Sequence, residues 1–128
     1  MLAAYRRTQY SAARIEISIG RRSAAMDALL ARHAARVGVF VTAWNPMSHR
    51  MPIGWNRRMQ RCLQERLRGC ASLPADGSFR SWREAHFLVL REIRWVLRLA
   101  RVFRQRAVVV VRPGRAACLV ILPSRKGR

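Results

Sequence analysis

Three polar side chains, Thr42, Asn45 and Ser48, close the run Val39-Phe40-Val41-Thr42-Ala43-Trp44-Asn45-Pro46-Met47-Ser48. The β-branched and aromatic residues predict a strand from Gly38 to Trp44, and Asn-Pro stops it abruptly. In an α/β protein such a strand end commonly holds ligands and reacting groups. A hydrolytic triad can be drawn from Ser48, His49 or His86, and Glu84. It is a poor one, because Met47-Ser48-His49 lacks the sharp glycine-flanked elbow of such a nucleophile. Ser48 reads more simply as a loop or helix-capping serine. Gly20 and Gly38 are isolated, with neither GxGxxG nor GK[ST] around them, so no phosphate loop is expected. The histidines and acids are dispersed and make no metal-ligand set, and Cys62, Cys70 and Cys118 form no CxxC pair. No metal and no cofactor is expected. The scattered thiols suit a reducing compartment, with Cys62 and Cys118 as small buried apolar residues.

Charge sets a second line of inference. The chain carries 26 Lys+Arg against 6 Asp+Glu, a net charge of +20, and Lys126 is its only lysine. Arginine's planar fork matches phosphate and carboxylate groups. Such an excess implies an anionic partner: nucleic acid, a phospholipid surface or an acidic protein. Compositional drift towards arginine is the alternative. Among the tryptophans, Trp55 and Trp82 sit among arginines (Arg57, Arg58; Arg80, Arg83) and suit base stacking, whereas Trp95 reads as core. No RNP-like, KH-like or helix-turn-helix motif is visible, so nucleic-acid binding would be phosphate-driven and independent of sequence. No apolar stretch approaches the ~20 residues of a spanning helix. The N-terminus has no signal-peptide pattern, and a cytoplasmic location is expected.

The elements that must position these groups follow from periodicity. Residues 2–8 read as a short helix, and Tyr10 to Ile19 as one half-buried strand with Ile15, Ile17 and Ile19 alternating. Ser23 caps a helix whose inner stripe is Met26, Leu29, Leu30, His33 and Val37. A third helix runs from Pro52 to about Arg68, with Met59, Cys62, Leu63 and Leu67 inside, Arg57, Arg58 and Arg61 elsewhere, and Gly69 as its stop. Cys70 to Arg83 reads as a loop with one short strand at most, and Ala85 to Leu90 as a strand. On the fourth helix, Arg91 to Arg104, a straight stripe of Arg91, Arg94, Arg98 and Arg101 interrupts an otherwise apolar surface. Val108–Val111 and Ala117–Leu122 form a hairpin about Pro113-Gly114. This order predicts a single α/β domain (or α+β) over residues 1–122. Its mixed sheet has about five strands, flanked by about four helices and closed by the β-hairpin, with a basic tail at 123–128.

Several blocks together carry a resemblance. Tyr5-Arg-Arg-Thr8-Gln-Tyr10, the Thr42-to-Ser48 block, Asn56 leading a helix, Trp82 and Glu84 before an apolar strand, and Phe103-Arg-Gln105-Arg-Ala107 resemble the bacterial family known as domain of unknown function 3293. That family usually has glycine where this chain has Arg104, and its Trp and Glu stand one residue further apart. The resemblance implies a candidate pocket of Tyr5, Thr8, Tyr10, Thr42, Asn45, Ser48, Asn56, Glu84 and Gln105, all near predicted element ends. Hydroxyls, amides and one carboxylate suit hydrogen-bonded recognition of a small polar molecule or nucleotide. Two functions are therefore in view. The first is a non-enzymatic module engaging RNA or DNA through Arg57, Arg58, Arg91, Arg94, Arg98 and Arg101. The second is an enzyme or ligand sensor built on the polar cleft. Convergence of Thr42, Asn45, Asn56, Glu84 and Gln105 on one concave site would favour the second.

Overall fold

The computed structural model describes residues 2–123. In chain order these form α1 (Leu2–Arg7), β1 (Gln9–Ala12), β2 (Ile15–Ser18), α2 (Ala24–Arg32), β3 (Gly38–Val41), α3 (Ile53–Arg66), β4 (Ser72–Phe79), β5 (Trp82–Val89), α4 (Ile93–Val102), β6 (Ala107–Val111) and β7 (Cys118–Ile121). All seven strands make one sheet in the order β2-β1-β4-β5-β3-β6-β7, and every pairing between them is antiparallel. The mixed α and β class holds, with a strand count of seven rather than five and an antiparallel sheet rather than the expected mixed one. The expected tail at 123–128 lies, apart from Pro123, outside the described residues.

Two hairpins account for the extra strands. The run from Tyr10 to Ile19 folds back at Ala13 and Arg14, whose φ angles of 51° and 66° make the two-residue left-handed turn that matches strand twist. Asn and Gly normally announce such a turn, and neither is present. β4 was hidden by Pro74, Asp76 and Gly77, each of which is accommodated locally. β1 ends opposite Ala75, so at Pro74 the strand has β5 alone as neighbour. Asp76 accepts a hydrogen bond from Ser11 at 3.0 Å. A Cβ at Gly77 would lie 3.1 Å from His86 and 3.2 Å from Tyr10, so glycine makes room for both rings.

The sheet is curled. β1 and β3 are separated by β4 and β5, about 14 Å in a flat sheet, yet the Tyr10 and Phe40 rings meet at 5.7 Å. At one end the two edges touch, through the Ile19–Ala117 bridge and the Gly20 N–H donating to Ala117 O at 2.8 Å. On the convex face, Val39, Val41, Val89, Val108 and Val110 pack against Leu63 of α3, Leu67 at its C-cap, and Val96, Leu99 and Ala100 of α4. On the concave face, Ile17, Phe40, Leu88, Val109 and Val111 pack under Met26, Leu29 and Leu30 of α2. Ser23 caps α2 by accepting from the Met26 N–H at 3.0 Å.

Some expected inner residues lie outside. His33 is exposed because α2 ends at Arg32 and His33 is its C-cap. Cys62 and Cys118 are exposed rather than buried. The inward stripe of α3 is Asn56, Gln60, Leu63 and Leu67, spaced by four, three and four, which turns Cys62 to solvent. Trp95 is only partly buried and carries the Arg91 guanidinium 4.0 Å above its ring. α4 closes with Arg104 at φ 58°, the Arg104 N–H on Arg101 O and the Gln105 N–H on Ala100 O. That paired pattern is the left-handed helix stop in which glycine is the usual residue. It supplies the physical reason for a glycine in the resembling pattern, and shows that Arg104 occupies the position under strain.

Candidate functional site

α2 spans only nine residues and covers one end of the concave face. At the other end strand alternation brings polar and aromatic residues inward, Trp82, Glu84 and His86 along β5, Phe79 along β4 beside Gly77, and Tyr10 on β1, with Thr42 just beyond β3. α1 flanks them through Ala4 and Tyr5. The result is an open cavity of about 400 Å³, within the 300–1,000 Å³ usual for small-molecule sites.

Of the nine residues singled out from the sequence, eight line this cavity: Tyr5, Thr8, Tyr10, Thr42, Asn45, Ser48, Glu84 and Gln105. Asn56 stands behind it. The five buried polar side chains of the described residues are Thr42, Asn45, Asn56, Gln60 and Gln105, and hydrogen bonds join all five to the strand end and the loop after β3. Asn45 is the hub. Its Oδ1 accepts from the Met51 N–H at 2.8 Å and from Asn56 Nδ2 at 2.9 Å, and its backbone N–H donates to Asn56 Oδ1 at 3.0 Å. Its Nδ2 donates to Glu84 Oε2 at 2.8 Å. Thr42 Oγ1 donates to Ala85 O at 2.6 Å and accepts from the Trp44 N–H at 3.0 Å. Gln60 Oε1 accepts from the Ala43 N–H at 2.9 Å, while Gln105 Nε2 donates to Trp44 O at 3.1 Å. These amides and hydroxyls hold the wall and leave ligand contact to others.

The loop itself is strained. Asn45, Met47 and Ser48 have φ of 47°, 52° and 62°, and each left-handed non-glycine residue costs of order 1–3 kcal/mol. Bonds from both sides fix it: the Met47 N–H donates to Arg104 O at 2.7 Å and Arg106 Nε donates to Met47 O at 3.1 Å. Arg104 therefore holds the loop through its backbone carbonyl.

Hydrogen-bonding capacity is left unspent at two buried donors without a partner among the described residues, Trp44 Nε1 and Gln60 Nε2, and at two acceptors on β5. Glu84 Oε2 accepts from both Asn45 Nδ2 and the Trp82 indole Nε1, the latter at 3.0 Å. Among the described residues Glu84 Oε1 has no partner and no arginine lies within ion-pair distance of the carboxylate. His86 Nδ1 lies 3.0 Å from Glu84 O. A carbonyl only accepts, so Nδ1 carries the proton and Nε2 of the neutral ring is left as an acceptor. Burial pushes the His86 imidazole below its ordinary pKa, against the opposing pull of the Glu84 carbonyl and carboxylate. Burial likewise raises the Tyr5 and Tyr10 phenols, despite hydrogen bonds with Ser48 and Thr8 respectively. At neutral pH the cavity thus offers a carboxylate oxygen, an imidazole nitrogen and un-ionised phenols between aromatic walls. Arg50, its guanidinium 4.4 Å above the Trp82 ring, and Arg106 form the rim.

Sequence reasoning treated His86 only as a triad member and overlooked Gln60, Arg50 and Arg106. The alternation Trp82-Glu84-His86-Leu88 was the available signal for His86. It was masked because Phe87 and Val89, facing the convex core, are apolar too. The six candidate anion-binding arginines are all exposed. Arg57 and Arg58 lie on α3, Arg94, Arg98 and Arg101 on α4, and Arg91 just before it, across the sheet from the cavity. Among the described residues no group of three or more His, Cys, Asp or Glu is placed to hold a metal ion, and no helix is long and apolar enough to cross a membrane.

Residues 41–108 match the model of the family described as "Protein of unknown function (DUF3293)", and with more than half its length matched the chain belongs to that family. The matched span holds the Thr42–Ser48 block, Asn56, Glu84, His86 and Gln105, whereas Tyr5, Thr8 and Tyr10 precede it. No curated protein and no solved structure matches the chain.

Proposed function

We propose that the protein binds a small, flat polar molecule that presents N–H donors to Glu84 and His86. The observation that carries this reading is the state of Glu84. The chain has 26 basic residues against 6 acids, yet this carboxylate meets no arginine among the described residues and is oriented by two neutral donors with one oxygen open to the cavity. That oxygen opens between aromatic walls, so a ligand N–H gains a charge-assisted hydrogen bond there. Tyr10, Phe79 and Trp82 give planar surfaces for stacking. Convergence of the polar residues supports a small-ligand site over a module limited to nucleic acid.

The test is titration with amino-substituted heterocycles, such as aminopyrimidines and aminopurines, following tryptophan fluorescence of wild type and Glu84→Gln. Asn45 Nδ2 and Trp82 Nε1 both require an oxygen facing them, so the new amide must turn its NH2 into the cavity. An acceptor becomes a donor, and affinity falls by about tenfold to a hundredfold. Undiminished affinity in Glu84→Gln would overturn the reading.

A second reading, for the opposite side of the molecule, is supported by the exposure of Arg94, Arg98 and Arg101 without acid partners among the described residues. We infer sequence-independent association with an anionic polymer there. Log affinity should fall with log salt by about 0.9 per phosphate neutralised on duplex DNA, or about 0.7 on a single strand. Replacing the three with Gln should flatten that slope. Absence of RNA or DNA binding at low salt would leave drift, or an acidic protein, as the explanation of the charge.

A further inference from the structure

We infer that the cavity is a nucleotide site, with the base against Glu84 and His86 and the phosphate on the Arg50–Arg106 rim; this rests on the small-ligand reading and narrows it. The inner end offers two unspent acceptors, Glu84 Oε1 and His86 Nε2, two residues apart on one strand face, beside one unspent donor among the described residues that line it, Trp44 Nε1. Bases with an exocyclic amino group satisfy such positions. Uracil does so less well, because its single ring N–H is flanked by two carbonyls that would meet further acceptors. The aromatic walls suit a base in either stacking orientation.

The rim has the opposite preference. Arg106 spends Nε on Met47 O, which fixes the guanidinium and leaves both Nη groups for an incoming oxyanion. Arg50 is held at the mouth by its place over the Trp82 ring, 4.4 Å from the centroid. Neither arginine has a carboxylate within 4.0 Å among the described residues. Two unpaired guanidinium forks at the mouth and two acceptors within match a ligand that is a donor at one end and anionic at the other. Inorganic phosphate alone would leave the aromatic interior of the about 400 Å³ cavity unfilled.

The experiment is calorimetric titration with AMP, CMP, UMP, adenosine, adenine and inorganic phosphate, at one ionic strength, on four proteins. These are wild type, Glu84→Gln, the double variant Arg50→Gln/Arg106→Gln, and a surface control, Arg94→Gln/Arg98→Gln. AMP and CMP are expected to bind wild type at least tenfold more tightly than adenosine or UMP. The rim variant should lose that phosphate advantage while keeping its adenosine affinity, and the surface control should match wild type. If the rim variant loses its fold by circular dichroism, Arg50→Lys/Arg106→Lys replaces it and should reduce the advantage without abolishing it. Equal affinity for AMP and adenosine in wild type, or equal loss in the surface control, overturns the nucleotide inference. Adenosine or adenine binding that disappears in Glu84→Gln without any phosphate advantage would leave the small-ligand reading standing alone. Failure of every base-bearing probe would remove both.

Discussion

Asn45 and Glu84 are hydrogen-bonded to each other, yet their substitutions should have opposite consequences. Asn45→Ala removes the acceptor of the Met51 N–H and of one Asn56 Nδ2 hydrogen, and the donor to Glu84, inside a region where Asn45 is 7% and Asn56 2% exposed. An orphaned buried N–H costs about 1–3 kcal/mol and each lost neutral bond about 1 kcal/mol. Alanine at φ 47° adds about 1 kcal/mol, since asparagine tolerates the left-handed region better. The sum is about 3–5 kcal/mol, a large part of a small domain's stability. In Glu84→Gln the side-chain oxygen still accepts from Asn45 Nδ2 and Trp82 Nε1, so stability should stay within about 1 kcal/mol of wild type. Urea unfolding followed by circular dichroism measures both: with an m-value of about 1–3 kcal/mol/M, the Asn45→Ala midpoint should fall by at least about 1 M. An Asn45→Ala protein as stable as wild type, or a Glu84→Gln protein equally destabilised, would refute the division between a residue that holds the wall and one that faces the ligand.

Three further outcomes follow. Arg104→Gly should stabilise by about 0.5–1 kcal/mol, because glycine removes the left-handed penalty and keeps the carbonyl that binds Met47; an unchanged or lower Tm would contradict this. Gly77→Ala pushes a methyl to 3.1 Å from His86 and 3.2 Å from Tyr10, so it should cost about 1–3 kcal/mol and weaken ligand binding, measured by melting and titration. The His86 pKa is lowered by folding, so the unfolded chain binds more protons below its own value of about 6.5. The contribution is complete above that pH and is lost as pH falls through the lower folded value; His86→Gln should flatten this part of the stability–pH profile, and an unaltered profile would count against a buried neutral imidazole.

Much of the fold and part of the site was legible before any coordinates, for reasons that differ by residue. Ser23, Pro52, Gly69 and Pro113-Gly114 mark boundaries through backbone chemistry that acts locally, and each boundary falls where it was expected. Ala13-Arg14 and Arg80-Ser81 turn chains with no local signal, because pairing along the flanking strands outweighs the left-handed cost at Ala13, Arg14 and Arg80. The polar block after β3 was readable, although the strand stops at Val41 rather than Trp44 because Thr42 Oγ1 and Gln60 Oε1 take over the next backbone N–H groups; the role of Asn45 was not, since a ligand-contact residue and a wall-holding residue look alike until the Asn56 amide is seen behind it. His86 was obscured because β5 is packed on one face and lines the cavity on the other, which removes the simple alternation of a half-exposed strand. Arg50 and Arg106 were lost in a field of arginines. Only their place at the rim separates them from those on α3 and α4.

The most direct test of a ligand site on the concave face uses the chain's four tryptophans as reporters. In a 15N–1H correlation spectrum each indole N–H gives its own signal. Trp44 and Trp82 line the cavity, whereas Trp55 and Trp95 lie outside it. Adding an aminopurine should shift the Trp82 signal most, since its Nε1 shares Glu84 Oε2 with Asn45, and the Trp44 signal next. Those of Trp55 and Trp95 should stay in place, and Glu84→Gln should abolish the shifts at equal ligand concentration. Shifts confined to Trp55 and Trp95, or cavity shifts that persist undiminished in Glu84→Gln, would contradict the account.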